Sequence, residues 1–179
     1  FIQKDGALTV PDAVAGGDLW CLMDAANPPA WHSTGTAQAD LQIRQANASG
    51  YAESTIRLGR HVSGGDWWYA DCGLATDGQS VWSLFWIRNV SASGNDDNQQ
   101  GEVNGEATFD TWHTASLVYD PNSGEVICEI NGHILNQTVP NNFHASAGGN
   151  FFIAVNNWRD AGASALTLIE DVLIDPPAE

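Results

Sequence analysis

The residues from Trp67 to Arg88 constrain the fold more than any other stretch. They read WWYADCGLATDGQSVWSLFWIR, two alternating runs about an Asp77-Gly78 turn signal. Period two belongs to a β-strand, whose successive side chains leave opposite faces. Asp-Gly is a strong signal for a two-residue hairpin turn, because both central positions take positive φ. Such a turn pairs Leu74 with Val81, Cys72 with Ser83, Ala70 with Phe85 and Trp68 with Ile87, a credible core face. The other face then carries Trp67, Tyr69, Asp71, Gly73, Trp82, Leu84, Trp86 and Arg88. A pure core face does not normally hold an Asp and an Arg among its rings.

The same rhythm recurs elsewhere, and helical periodicity is nearly absent. Ala37, Ala39, Leu41 and Ile43 alternate with polar neighbours, as do Ile56 and Leu58, and then Leu166, Leu168, Val172 and Ile174. A second hairpin is expected from about Trp112 to His133, closed by Pro121-Asn122-Ser123-Gly124. Its four-residue loop pairs Tyr119 with Val126, Leu117 with Cys128 and Ala115 with Ile130, again a core face. The opposite face, from Trp112 and Thr114 to Asn131 and His133, is polar enough to be solvated or ligand-facing. Residues 91–106 (SASGNDDNQQGEVNGE) read as one long loop, and such loops are usually functional or mobile. Short strands between Gly, Asn, Asp and Pro predict an all-β fold, a two-sheet antiparallel β-sandwich.

A chain of 179 residues, 43% apolar and 16% charged, can bury a core as one domain. The expected boundaries are 1–175 for that domain and 176–179 for the start of a linker or tail. The chain opens at Phe1 without Met, which reads as a processed chain or a domain cut from something longer. No apolar run reaches membrane-spanning length, so membrane insertion is not expected. Six basic residues stand against 22 acidic ones, a net charge of −16. Nucleic acid needs a basic footprint to replace phosphate counterions, so it is excluded as a partner. Cys21, Cys72 and Cys128 are an odd count, leaving at most one disulfide and at least one thiol unpaired within the chain. Sequons at Asn47, Asn89 and Asn136 carry little weight in a chain this rich in Asn, Ser and Thr.

The stretch FDTWHTASLVYDPNSGEVICEINGHIL, Phe109 to Leu135, has a Trp-His, strand, turn, strand, Asn-Gly order. It resembles concanavalin A-like lectin/glucanase domains, including the laminin-G-like ones. The stretch from Phe151 to Ile174 is similar to the closing strands of that superfamily, with Asp171-Val172-Leu173-Ile174 matching its late-strand pattern. The resemblance implies a jelly roll of two antiparallel sheets. Many members bind glycans, many carry a structural calcium, and some are glycoside hydrolases or polysaccharide lyases. It also implies an extracellular or cell-surface place, with other domains of the same polypeptide as neighbours.

The aromatic face of the first hairpin is the candidate ligand site. Flat rings stack on the C–H faces of sugars, and Trp adds an N–H for hydroxyls. Trp67, Trp82 and Trp86 are expected to stack and Tyr69 to assist, with Asp71 and Arg88 orienting hydroxyls. Arg57, Asn156 and Trp158 have the right types to join, although each taken alone reads better as packing. Asp96 and Asp97, in the expected acidic loop, are the candidate ligands for a hard cation, yet the full spacing of a calcium loop is lacking. No cofactor is required by this reading.

A catalytic pair is not found. The Glu-x-Asp-x-x-Glu strand pattern of related hydrolases is absent. Glu125 and Glu129 lie four strand positions apart, roughly 13 Å. Glycosidase carboxyls stand at about 5–5.5 Å or about 6.5–9.5 Å. His113 and Tyr119 fall on the expected core face, and the other histidines have no metal or triad spacing. The expectation is therefore non-catalytic binding of a polysaccharide or glycan. Its negative charge favours a neutral polymer over an acidic one unless calcium bridges them. The alternatives are a hydrolase or lyase on the same fold, and a structural or adhesive domain whose tryptophans are core.

Overall fold

The structure is a computed structural model that describes the backbone of residues 2–4, 7–10, 19–22, 37–61, 67–90, 96–120, 123–138 and 151–175. Side chains are described at 44, 48–59, 68–88, 107–120, 123–134 and 154–169. The strands among these residues are β1 (Ile2–Lys4), β2 (Ala7–Val10), β3 (Leu19–Leu22), β4 (Ala37–Ser49), β5 (Ala52–His61), β6 (Trp67–Thr76) and β7 (Val81–Val90). They continue with β8 (Asp96–Ala107), β9 (His113–Asp120), β10 (Glu125–Ile130), β11 (His133–Thr138), β12 (Phe151–Arg159) and β13 (Ser164–Asp175). One sheet runs β1-β2-β13-β4-β9-β10-β11 and the other β3-β12-β5-β6-β7-β8, with every pairing antiparallel. The expected all-β, two-sheet antiparallel β-sandwich is the fold observed. Among the described residues no helix is long and apolar enough to cross a membrane.

The core lies between the sheets. Ile56, Leu58, Trp68, Ala70, Cys72, Leu74, Phe85 and Ile87 come from the six-stranded sheet. They meet Ala115, Leu117, Tyr119, Val126, Cys128, Ile130 and Ile169 from the other. The Trp68 and Tyr119 rings meet edge-on across the gap, 5.2 Å between centroids. The disulfide Cys72–Cys128 ties β6 to β10 through the same layer.

The second hairpin has the expected register, with Tyr119 opposite Val126, Leu117 opposite Cys128 and Ala115 opposite Ile130. The first is displaced by two positions. Thr76 pairs with Val81, Leu74 with Ser83, Cys72 with Phe85 and Ala70 with Ile87. Its connection is a four-residue loop, because Asp77 Oδ1 accepts hydrogen bonds from the backbone N–H of Gln79 (2.8 Å) and Ser80 (2.7 Å). Of Asp77 and Gly78 only the glycine has positive φ, so the two-residue turn is not formed. A displacement by an even number leaves every side chain on its expected face.

Two other expectations fail. Most of residues 91–106 are not loop: Asp96–Ala107 is a strand bonded along β7. Its pairing partner overrides the weak strand propensity of Gly and Asn. The late set Leu166, Leu168, Val172 and Ile174 does not share one face. Ala165, Thr167 and Ile169 are the buried positions, and Leu166 and Leu168 are half-buried. Register shifts against β4 after Leu166 and between Glu170 and Leu173 break the alternation.

Candidate functional site

The face of the six-stranded sheet turned away from the core is built by strand parity. Ile56 and Leu58 are core, so Glu53, Thr55 and Arg57 leave β5 on the other side. Register then sets Arg57 opposite Asp71, Thr55 opposite Gly73, Tyr69 opposite Arg88 and Asp71 opposite Trp86. On the far side of β5, Asn156 stands opposite Thr55 and Trp158 opposite Glu53. The structure thus brings Arg57, Tyr69, Asp71, Trp82, Trp86, Arg88, Asn156 and Trp158 to one face. The backbone of Trp67 joins them on β6, opposite Val90, and its side chain lies outside the described residues.

At the centre Arg57 and Asp71 form a bidentate pair. Arg57 Nε donates to Asp71 Oδ1 at 2.6 Å and Nη2 to Oδ2 at 2.7 Å. Arg57 is 1% exposed and Asp71 0%. The guanidinium also lies over the Tyr69 ring, 3.9 Å from its centroid. Arg88 Nη1 donates to Tyr69 Oη at 3.4 Å, and its guanidinium lies over Trp86 at 4.6 Å. Asp71 is therefore placed as the counter-ion of Arg57, with both oxygens already accepting, and not as a primary hydroxyl ligand. Burial pushes the Tyr69 phenol above its usual value despite the two guanidiniums beside it.

A second cluster sits toward the start of β5. Tyr51 lies 6.2 Å from Trp82 and 5.6 Å from Trp158, the latter edge-on. Its hydroxyl donates to Glu53 Oε1 at 2.6 Å. Glu53 is 3% exposed, and burial raises its carboxyl above the usual range. The Tyr51 phenol is raised as well, first by burial and then by the Glu53 bond. Sequence reasoning missed Tyr51, Glu53 and Thr55. The only signal for them is an alternation with Ile56 that runs back from Arg57 through Thr55 and Glu53 to Tyr51, just before β5.

Asp96 and Asp97 are consecutive positions on β8, opposite Val90 and Asn89, and their side chains lie outside the described residues. Glu125 and Glu129 fall on β10, in the other sheet, remote from this face. His113 is buried and bonded: its Nε2 lies 3.1 Å from the Thr108 carbonyl and its Nδ1 2.7 Å from Asn131 Nδ2. Tyr119 is wholly buried in the core. Among the described residues no group of His, Cys, Asp and Glu is placed to hold a metal ion.

No family model matches the chain, and no curated protein matches it. Solved structures do. A family 7 alginate lyase, A1-II′, is similar at 13% identity and a TM-score of 0.64, over 97% of this chain and 81% of that one. An alginate lyase from Pseudomonas aeruginosa, PA1167, is similar at 9% identity and a TM-score of 0.59, over 98% and 87%. A functionally unknown protein from Saccharomyces cerevisiae is similar at 10% identity and a TM-score of 0.59, over 99% and 92%. At these identities the likeness is one of fold.

Proposed function

We propose that the chain recognises a polysaccharide or glycan on this face of the six-stranded sheet, without cleaving it. The observation that carries the reading is that the face duplicates nothing in the core. Trp82, Trp86 and Trp158 are half-buried on the side away from the interior that Trp68 and Phe85 already fill. Rings left partly open beside hydrogen-bonding groups are the recipe for binding a sugar ring. The similar structures described as alginate lyases act on a polysaccharide, which supports the same ligand class. Asp71 is committed to Arg57 and Glu53 to Tyr51, which argues against a working carboxylate pair. The disulfide favours an oxidising compartment, and hence the cell surface or beyond.

Affinity gel electrophoresis across neutral and acidic polysaccharides tests this. The wild type should be slowed by at least one polymer, the polymer should keep its length, and a chelator should change nothing. Trp82→Ala or Trp86→Ala should abolish the retardation. Retardation that survives both substitutions would place the site elsewhere.

One observation favours a second reading, a lyase. A Tyr69 phenol beside Arg88 and Arg57 can give a proton to a leaving sugar oxygen. Ultraviolet absorbance from unsaturated sugar ends, lost in Tyr69→Phe, would select that reading over non-catalytic binding.

A further inference from the structure

Asn156 and Thr55 face each other across β12 and β5 in the middle of the same face. Both are 0% exposed. Asn156 Oδ1, Asn156 Nδ2 and Thr55 Oγ1 have no hydrogen-bond partner among the described residues. Buried polar groups are almost always bonded, and each one left unmade destabilises the protein. The same two strands solve this problem on their core side. There Ser54 Oγ lies 2.7 Å from Thr167 Oγ1, and Asn157 Nδ2 donates to Ser54 Oγ at 3.1 Å. Residues one position away are satisfied; the pair on the candidate face is not.

The unmet atoms define their complement. They offer an amide donor, an amide acceptor and a hydroxyl that can do either. A sugar hydroxyl donates and accepts, and so answers all three. A carboxylate only accepts, and would set its charge against Asn156 Oδ1. The surrounding charges agree. On this face Arg57 and Arg88 are matched by Glu53 and Asp71. The whole chain carries −16, so a polyanion gains nothing on approach.

We propose that Asn156 and Thr55 are the hydroxyl-reading centre of the site, and that its ligand is a neutral, hydroxyl-rich glycan. This rests on the glycan reading of the face and adds the class of sugar and the residues that choose it. Thr55→Val and Asn156→Leu replace the polar atoms with apolar ones of similar shape. Each is measured by thermal melting without glycan and by retardation in gels of β-glucan, mannan or sodium alginate. The expected result is a melting temperature that holds or rises, while retardation by the neutral polymer weakens at least about tenfold. That opposition marks a group kept for binding at the expense of stability. Lower melting with undiminished retardation overturns the proposal, because the pair then serves the fold through a held water. Retardation by alginate alone overturns the ligand class and leaves the glycan reading standing. Retardation by no polymer removes both. Thr55→Val, the gentler change, decides alone if Asn156→Leu does not fold.

Discussion

At the residue scale the face is held by charges that satisfy one another before any ligand arrives. Arg57 spends two donors on Asp71 and its flat surface on Tyr69, so the ring and the carboxylate are fixed together. Such a pair adds little net stability, since desolvating two charges offsets much of their attraction, and what it supplies here is position. Glu53 differs: burial raises its carboxyl above the ordinary range, and the Tyr51 hydroxyl bond only partly opposes this. A carboxyl raised in the folded state binds its proton more tightly there than in the unfolded chain. Its contribution is full below the unfolded value and is lost as pH rises through the folded one. Glu53→Gln keeps an acceptor for Tyr51 and removes the titration. Melting curves across the acidic-to-neutral range should flatten in this variant, and it should melt above the wild type at neutral pH. Of the residues on the candidate face, Trp82, Trp86, Tyr69 and Arg88 are legible because the hairpin alternates so strictly. Tyr51, Glu53 and Thr55 are not. Their chemistry is ordinary by type, and only burial and partners across β6 and β12 make them part of a site.

At the element scale, the strands' parity was easier to read than their pairing. Asp77-Gly78 predicts a two-residue β6–β7 turn, but the Asp77 side chain organises four residues, and the faces are unchanged because the displacement is even. In β13 the register shifts break the alternation, and a regular pattern cannot foresee where a bulge falls. β8 is hidden because its residues are turn formers by composition, although it pairs with the strand directly before it, Val90 opposite Asp96. Gly73 shows the opposite case, a residue whose reason is visible only in the sheet. A Cβ there would lie 2.2 Å from the Ser54 carbonyl oxygen and 2.7 Å from Thr55 Cα. Both contacts are backbone, so β5 and β6 would have to part. Gly73→Ala should lose roughly 1–3 kcal/mol or more in urea unfolding, and it should weaken glycan retention through Thr55.

At the scale of the whole molecule, one sheet supplies the candidate site and the other the backing. The Cys72–Cys128 bridge joins them across 56 residues of sequence. The cysteine count allowed one disulfide, and the hairpin faces put both residues inward, but strand spacing along the chain cannot say which sheets meet. Closing a loop of that length is worth about 4 kcal/mol by chain entropy. The double variant Cys72→Ala, Cys128→Ala should fall by about that amount in urea unfolding. Because both sulfurs lie in the core layer, retention by glycan should persist below the new transition.

The tryptophans report directly on whether the six-stranded sheet binds sugar on its face away from the core. Trp82, Trp86 and Trp158 lie on that face, Trp68 is sealed between the sheets, and Trp112 stands on the other sheet's side of the molecule under Arg44. Each indole N–H gives its own nuclear magnetic resonance signal. Titration with an oligosaccharide of the retained polymer should move the signals of Trp82, Trp86 and Trp158 and leave those of Trp68 and Trp112 in place. Movement of the Trp112 signal with those of Trp82, Trp86 and Trp158 unchanged would rule out sugar binding on the face of the six-stranded sheet.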